Sequence, residues 1–206
     1  MKITEAVNSI IEQKREVPTQ QAMLVGISGI DGSGKGYVTR LIDEQLREQG
    51  FKTAVINIDG WLDLPHIRFD PDDLAGNFYR NAIRFDDMFE RLVIPLRDSH
   101  KVDITADFAE ETAADYRKHH YRFNDIDIIL LEGIFLFKRE LIHHYDLRIW
   151  IDCTFDTALA RAIDRSQEGL SPAETVHAYE TIYFPAQRMH FDLDDPQTAA
   201  DIRINN

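Results

Sequence analysis

Short runs of apolar residues alternate along this chain with segments in which apolar residues recur every three or four positions. Ile3 to Glu16 has the helical period, with Ile3, Val7, Ile10 and Ile11 on one face, and Pro18 ends it. Ala22 to Ile27 then reads as a strand that is apolar on both faces. A glycine-rich loop follows, and a helix is predicted from about Lys35 to Gln49, with Val38, Leu41, Ile42 and Leu46 as its stripe and Gly50 as its stop. Thr53 to Ile58 is a second strand, ending at Asp59-Gly60-Trp61. Pro65 to Gly76 carries two prolines and several aspartates and reads mostly as loop. The pattern predicts a helix over Phe85 to Leu96 and a polar, aromatic middle with short strands over Lys101 to Phe123. Strands at Ile126 to Leu131, Leu147 to Ile151 and Ala200 to Ile204 alternate with helices at Asp156 to Ser166 and, opened by Pro172, to about Met189. Lys138 and Arg139 are expected on a solvated helix.

Alternating strands and helices indicate an α/β fold with a mainly parallel sheet. Function in such folds gathers beyond the carboxyl ends of the strands. That rule singles out Gly29 to Lys35, Asp59, Glu132 and Asp152.

Composition narrows the classes. A chain of 206 residues, 44% apolar and 29% charged, suits one compact domain. The net charge of −13 argues against nucleic acid or an anionic membrane as the main partner, yet leaves room for a local phosphate site. Cys153 is the only cysteine, so no internal disulfide forms, and it is expected to be a small buried residue. No apolar stretch has the length of a membrane span, the first residues are quickly polar, and a cytoplasmic location is the expectation. The adjacent pairs His119-His120 and His143-His144 are expected to diverge and stay solvated. A homo-oligomer remains open.

The chemistry starts at Gly29-Ile30-Asp31-Gly32-Ser33-Gly34-Lys35, between a predicted strand and a predicted helix, with Gly36 and Tyr37 next in line. Backbone N–H groups that turn inward around phosphate oxygens need glycines, because side chains obstruct both turn and approach. Lys35 adds a point charge, and the helix that starts there adds its positive end. This is the pattern of a P-loop. The position after the lysine usually carries Ser or Thr, whose hydroxyl ligates Mg²⁺, but here it is Gly36. Thr39 lies one turn further on, too far to replace it. The Asn-Lys-x-Asp motif of GTPases is missing, and the length suits a small-molecule kinase.

Five segments, in order, give the chain a resemblance to the uridine kinase and phosphoribulokinase-like group of P-loop kinases, over about residues 20 to 206. They are the loop Gly29 to Lys35; Asn57 to Trp61; Leu130 to Phe135; Asp146 to Asp152 with Arg161 and Arg165 on the next helix; and Ala200 to Asn206. The resemblance implies a three-layer P-loop NTPase fold with a small lid, in a single domain spanning 1–206. The periodicity adds an N-terminal helix at 1–17, and the resemblance an acceptor-side insert at 61–123 and lid-like helices at 156–190. It implies an ATP-dependent, Mg²⁺-requiring kinase acting on a hydroxyl of a nucleoside, sugar or pantothenate-like alcohol. Asp59 would be the base that takes the hydroxyl proton, beside the metal. Glu132 would attend the metal, Lys35 the phosphates, and Arg161 and Arg165 the transferring phosphoryl, with Arg188 a weaker candidate.

On the acceptor side the chain departs from the family. Uridine kinases carry Asn-Phe-Asp, with the aspartate on the nucleoside; here Tyr79 follows Asn77-Phe78. The family's pyrimidine-holding tyrosine and histidine find no clear partners around Ala106 to Glu110. Arg80, Arg84, Tyr116 and Arg117 could build a different acceptor pocket or lie on the surface. Gly36 and these departures leave open a nucleotide-binding protein without catalysis. A nucleoside monophosphate kinase, with its acceptor near Arg80 and Arg84, is a third reading.

Overall fold

The computed structural model describes residues 3–165 and 169–206. In chain order the elements are α1 (Ile3–Lys14), β1 (Met23–Gly29), α2 (Lys35–Glu48), β2 (Thr53–Asn57), α3 (Pro65–Arg68), α4 (Leu74–Asn81) and α5 (Phe85–Met88). A π turn, Phe89–Val93, joins α5 to α6 (Ile94–Ser99). Then come β3 (Val102–Phe108), β4 (Arg117–Phe123), β5 (Ile128–Gly133), β6 (Leu147–Asp152), α7 (Phe155–Arg165) and α8 (Pro172–Ala178). A second π turn, Tyr179–Tyr183, leads into α9 (Phe184–Asp194), α10 (Pro196–Ala199) and β7 (Ile202–Asn205).

Five strands form one parallel sheet in the order β2-β5-β1-β6-β7. Strand side chains alternate between faces, and the core divides accordingly. Met23, Val25, Ile27, Ile128, Leu130, Ile149 and Ile151 pack with Val7 and Ile10 of α1 and Val38, Ile42 and Leu46 of α2. Leu24, Ile129, Leu131 and Trp150 face the other way, onto Phe135, Phe137, Leu92, Leu96 and Phe184. β3 and β4 pair antiparallel as a separate two-stranded ribbon.

Two local expectations change. The stretch from Pro65 holds helices α3 and the start of α4, because Pro65 occupies a first-turn position, where its missing N–H costs nothing, and the Asp73 side chain caps α4 by accepting from Gly76 N at 3.1 Å. The predicted solvated helix at Lys138 and Arg139 is a tight turn instead. Lys138 is 5% exposed, donates from Nζ to Tyr79 O at 2.8 Å, and lies 4.4 Å above the Tyr79 ring. The end of the helix predicted to Ser166 lies outside the described residues.

Candidate active site

The parallel register brings the carboxyl ends of β1, β2 and β5 to one edge of the sheet: Ile27 is level with Glu132, and Glu132 with Asn57. β1 runs into the glycine loop, and Gly34 enters α2 at φ 86°, a left-handed conformation that glycine adopts without steric cost. Gly29, Ile30 and Ser33 form the back of the loop, with Ile30 and Ser33 buried. Asp31, Gly32, Gly34, Lys35, Gly36 and Tyr37 line a cavity of about 420 Å³. The loop is braced from behind: the Ser33 carbonyl accepts from Arg161 Nη1 at 3.1 Å and from Asn206 Nδ2 at 2.7 Å. Lys35 is 7% exposed and donates from Nζ to Ile30 O at 3.1 Å, which holds its ammonium across the loop.

Asp59 and Glu132 line the same cavity. Asp59 follows β2 in a 3₁₀ turn that Asn57 caps, its Oδ1 accepting from Asp59 N at 2.7 Å. Asn57 Nδ2 donates to Glu132 Oε2 at 2.9 Å, so one side chain orients both acids. Glu132 is 6% exposed. Burial raises its pKa, Lys35 counters the rise, and Asp59 and Asp31 add to it. The Asp59 side chain reaches solvent at the cleft mouth, while protein surrounds it on its remaining sides. This crowding raises its pKa, against the pull of Lys35, with Asp31 adding to the rise and Arg165 opposing it. The two acids therefore compete for charge and gain from a cation between them.

The donor set fits magnesium in the manner usual for phosphate substrates. Among the described residues no three His, Cys, Asp or Glu side chains cluster into a cage. Magnesium ordinarily takes one or two carboxylates and completes its shell with water and phosphate oxygens, and Asp59 and Glu132 supply two. A Cβ built on Gly36 would meet only Glu132 Oε2, at 3.9 Å, so the position of the usual hydroxyl borders this acid. Thr39 is buried with its hydroxyl unpartnered and does not line the cavity.

The structure separates the two arginines of α7. Arg165 lines the cavity and lies 3.7 Å from Asp31, whereas Arg161 turns to the back of the loop and to Cys153 Sγ at 3.7 Å. Cys153 is half-buried, since it lies past the end of β6 beside this guanidinium. Asp152 leaves the candidate set: Arg203 Nε and Nη2 each bond it at 2.9 Å and Gln197 Nε2 at 3.0 Å, tying β6 to β7 and α10. Arg188 stacks 4.9 Å from the Phe155 ring centre, outside the cavity.

The alternative acceptor set is placed elsewhere. Arg80 pairs with Asp73, Arg84 with Asp87, and Arg117 with Glu110, while Tyr116 donates to Asp63; none lines the cavity. Tyr79 also turns away from it and donates to Asp194 of α9, whose Oδ2 lies 2.7 Å from His190 Nδ1. Phe78, Leu62, Ile83, Arg68, Tyr183 and Gln187 line the cavity instead. Arg68 and Gln187 carry no signal of their own in the sequence, because α3 and the π turn that place them have no periodic signature. A second cavity of about 620 Å³ meets Asp59 from the ribbon side, walled by Phe108, His119 and Tyr121. His119 and Tyr121 pack edge to face at 4.5 Å, so β4 does carry a histidine and a tyrosine beside the acid, further along than Ala106 to Glu110. The His143 and His144 rings lie 3.9 Å apart, tilted at 39°, rather than diverging, because a 3₁₀ turn carries them.

The sequence profile of the Phosphoribulokinase / Uridine kinase family matches residues 24–182. The chain belongs to this family of P-loop kinases. It is 29% identical over 188 residues to a uridine kinase of Staphylococcus aureus (strain JH9), covering 88% of this chain and 86% of that one. A structure described as a possible uridine kinase from Bacillus stearothermophilus superposes with a TM-score of 0.76 at 20% identity, over 99% of this chain and 100% of the other. D-glycerate 3-kinase from Cryptococcus neoformans superposes at 0.67 with 10% identity, over 98% and 95%. These two share the fold. Family kinases use ATP, and the phosphate loop, the α/β architecture and the parallel sheet expected from the sequence are all present. No helix among the described residues is long and apolar enough to cross a membrane.

Proposed function

We propose that this kinase transfers the γ-phosphoryl of ATP to a hydroxyl of a small metabolite. The observation that carries this reading is the convergence of Lys35, Asp59 and Glu132 on one cavity at the strand ends. The loop N–H groups and Lys35 hold the phosphates. Asp59 takes the proton of the attacking hydroxyl, a role suited to a carboxylate whose pKa is raised by crowding. Glu132 and Asp59 hold Mg²⁺, which when bound neutralises phosphate charge. Arg165 meets the transferring phosphoryl from the lid side, and Arg161 keeps the loop in shape behind it. Residues 61–123 act as the acceptor-side insert, and the described helices of 156–165 and 169–190 as the lid.

A nucleoside acceptor is the sharper version of this reading. The aromatic wall of Phe108, His119 and Tyr121 beside Asp59 favours a planar base, and the Staphylococcus relative is named a uridine kinase. ATP consumption is to be measured against a panel of nucleosides, sugars and vitamin precursors, with and without Mg²⁺. Turnover that requires both an acceptor and Mg²⁺ is expected. Tight ATP binding with no acceptor-dependent turnover would favour a nucleotide-binding module without catalysis.

A further inference from the structure

Gln187 stands in the first turn of α9 and is 1% exposed. It lines the cavity shared by Lys35, Asp59 and Glu132, yet neither Oε1 nor Nε2 has a hydrogen-bond partner in the protein. A buried amide left unpaired is costly, and native proteins keep few of them. The backbone before it is equally unusual. The π turn Tyr179–Tyr183 inserts a residue into the α8–α9 helix and rotates the face that follows. Tyr183 and Gln187, four residues apart, thereby both face the cavity. Such insertions in helices are frequent at functional sites.

The chemistry of the amide narrows its partner. It presents an acceptor and a two-proton donor side by side, in one plane. Two neighbouring hydroxyls, one donating and one accepting, complement that pair. The same cavity has an apolar wall of Phe78, Leu62 and Ile83, with Arg68, Glu111 and Tyr183 as further polar lining. Tyr79, at the position where the family places its acceptor-binding aspartate, is committed to Asp194 on the far side of α4. We propose that Gln187 reads the acceptor, gripping a vicinal diol of a polyhydroxylated substrate whose separate hydroxyl lies at Asp59. The inference rests on the kinase reading of the same cavity.

Gln187→Met, an unbranched and nearly isosteric change, tests it through three readouts. The first is thermal melting without ligand. The variant is expected to melt no lower than the wild type, since an unpaired amide is replaced by an apolar group; a fall of several degrees would show the amide bonded within the fold and overturn the proposal. The second is calorimetric binding of a non-hydrolysable ATP analogue, which is expected to stay within about twofold.

The third compares matched acceptors: uridine with 2′,3′-dideoxyuridine, and D-ribose with 2-deoxy-D-ribose. For at least one pair the wild type is expected to prefer the diol by about tenfold or more, the equivalent of about 1.4 kcal/mol. The variant is expected to lose that preference through the acceptor KM. Equal preference in both proteins would overturn the proposal. Binding of the same compounds to the protein loaded with the ATP analogue separates the two ideas. Diol-dependent binding without turnover keeps the subsite and removes the kinase reading. No binding of any of the diols by the wild type removes the diol.

Discussion

Replacing Gly32 with alanine would put a methyl group where the Ala158 carbonyl already lies. A Cβ built on Gly32 stands 2.6 Å from Ala158 O and 3.0 Å from Ala158 Cα, both backbone atoms of α7 that cannot rotate aside. Gly32 also has φ 73°, where an L residue loses about 1 kcal/mol or more. Forcing extra volume into a packed contact adds about 1–3 kcal/mol. The sum is about 3 kcal/mol, which in a chain of this size lowers the melting temperature by roughly 6–12 °C. Gly50→Ala is the control. Gly50 has φ 88° but nothing within 4 Å of an added Cβ, so it incurs the backbone cost alone, about 1 kcal/mol or roughly 2–4 °C. Calorimetric melting of the two variants, with titration of a non-hydrolysable ATP analogue, isolates the contact between loop and α7. Gly32→Ala is expected to melt lower than Gly50→Ala and to bind the analogue more weakly, while Gly50→Ala binds it as the wild type does. Equal melting temperatures and equal analogue affinity would refute the claim that α7 clasps the phosphate loop.

Gly36→Ser is expected to fold normally, since its Cβ meets only Glu132 Oε2 at 3.9 Å, and to lower the Mg²⁺ concentration for half-maximal activity several-fold; Mn²⁺ binding in the presence of the ATP analogue checks the metal directly. Burial lowers the pKa of His190 despite its hydrogen bond to Asp194, so the folded protein keeps this ring neutral at a pH where the unfolded chain has protonated it. The unfolded state then binds more protons, and the wild type is expected to lose stability as pH falls through about 6.5 towards 5, more steeply than His190→Asn in denaturant titrations. Arg165→Met is expected to lower kcat with little change in melting temperature, whereas Arg161→Met is expected to lower melting temperature and ATP affinity together, because its guanidinium holds Ser33 O.

The sheet was legible because its strands are continuous apolar runs, and a run as short and β-branched as Ile128 to Leu131 suits a strand covered on both faces. The loop was legible because phosphate binding constrains several glycines and one lysine within a few residues. Asp59 and Glu132 followed from a rule about strand ends, and the same rule misled at Asp152, where an arginine from the last strand, 51 residues on, claims the carboxylate. Lys138 looked solvated because a Lys-Arg pair usually is; its burial depends on aromatic rings from Tyr79, Phe85 and Phe135, which local pattern does not bring together. The acceptor wall was the least legible part. Arg68 sits on a one-turn helix and Gln187 follows a π turn, and each reaches the cavity through tertiary packing rather than through a motif.

The central claim is that Asp59 accepts the proton of an attacking hydroxyl. Asp59→Asn keeps the shape of the side chain and its approach to the cavity but removes the base and one of the two carboxylates proposed for Mg²⁺, so transfer is measured at saturating Mg²⁺. The decisive measurement is acceptor-dependent phosphoryl transfer by this variant, with ATP-analogue binding measured alongside. A loss of about 100-fold or more in kcat with analogue affinity preserved is the predicted result. Transfer at the wild-type rate would contradict the account.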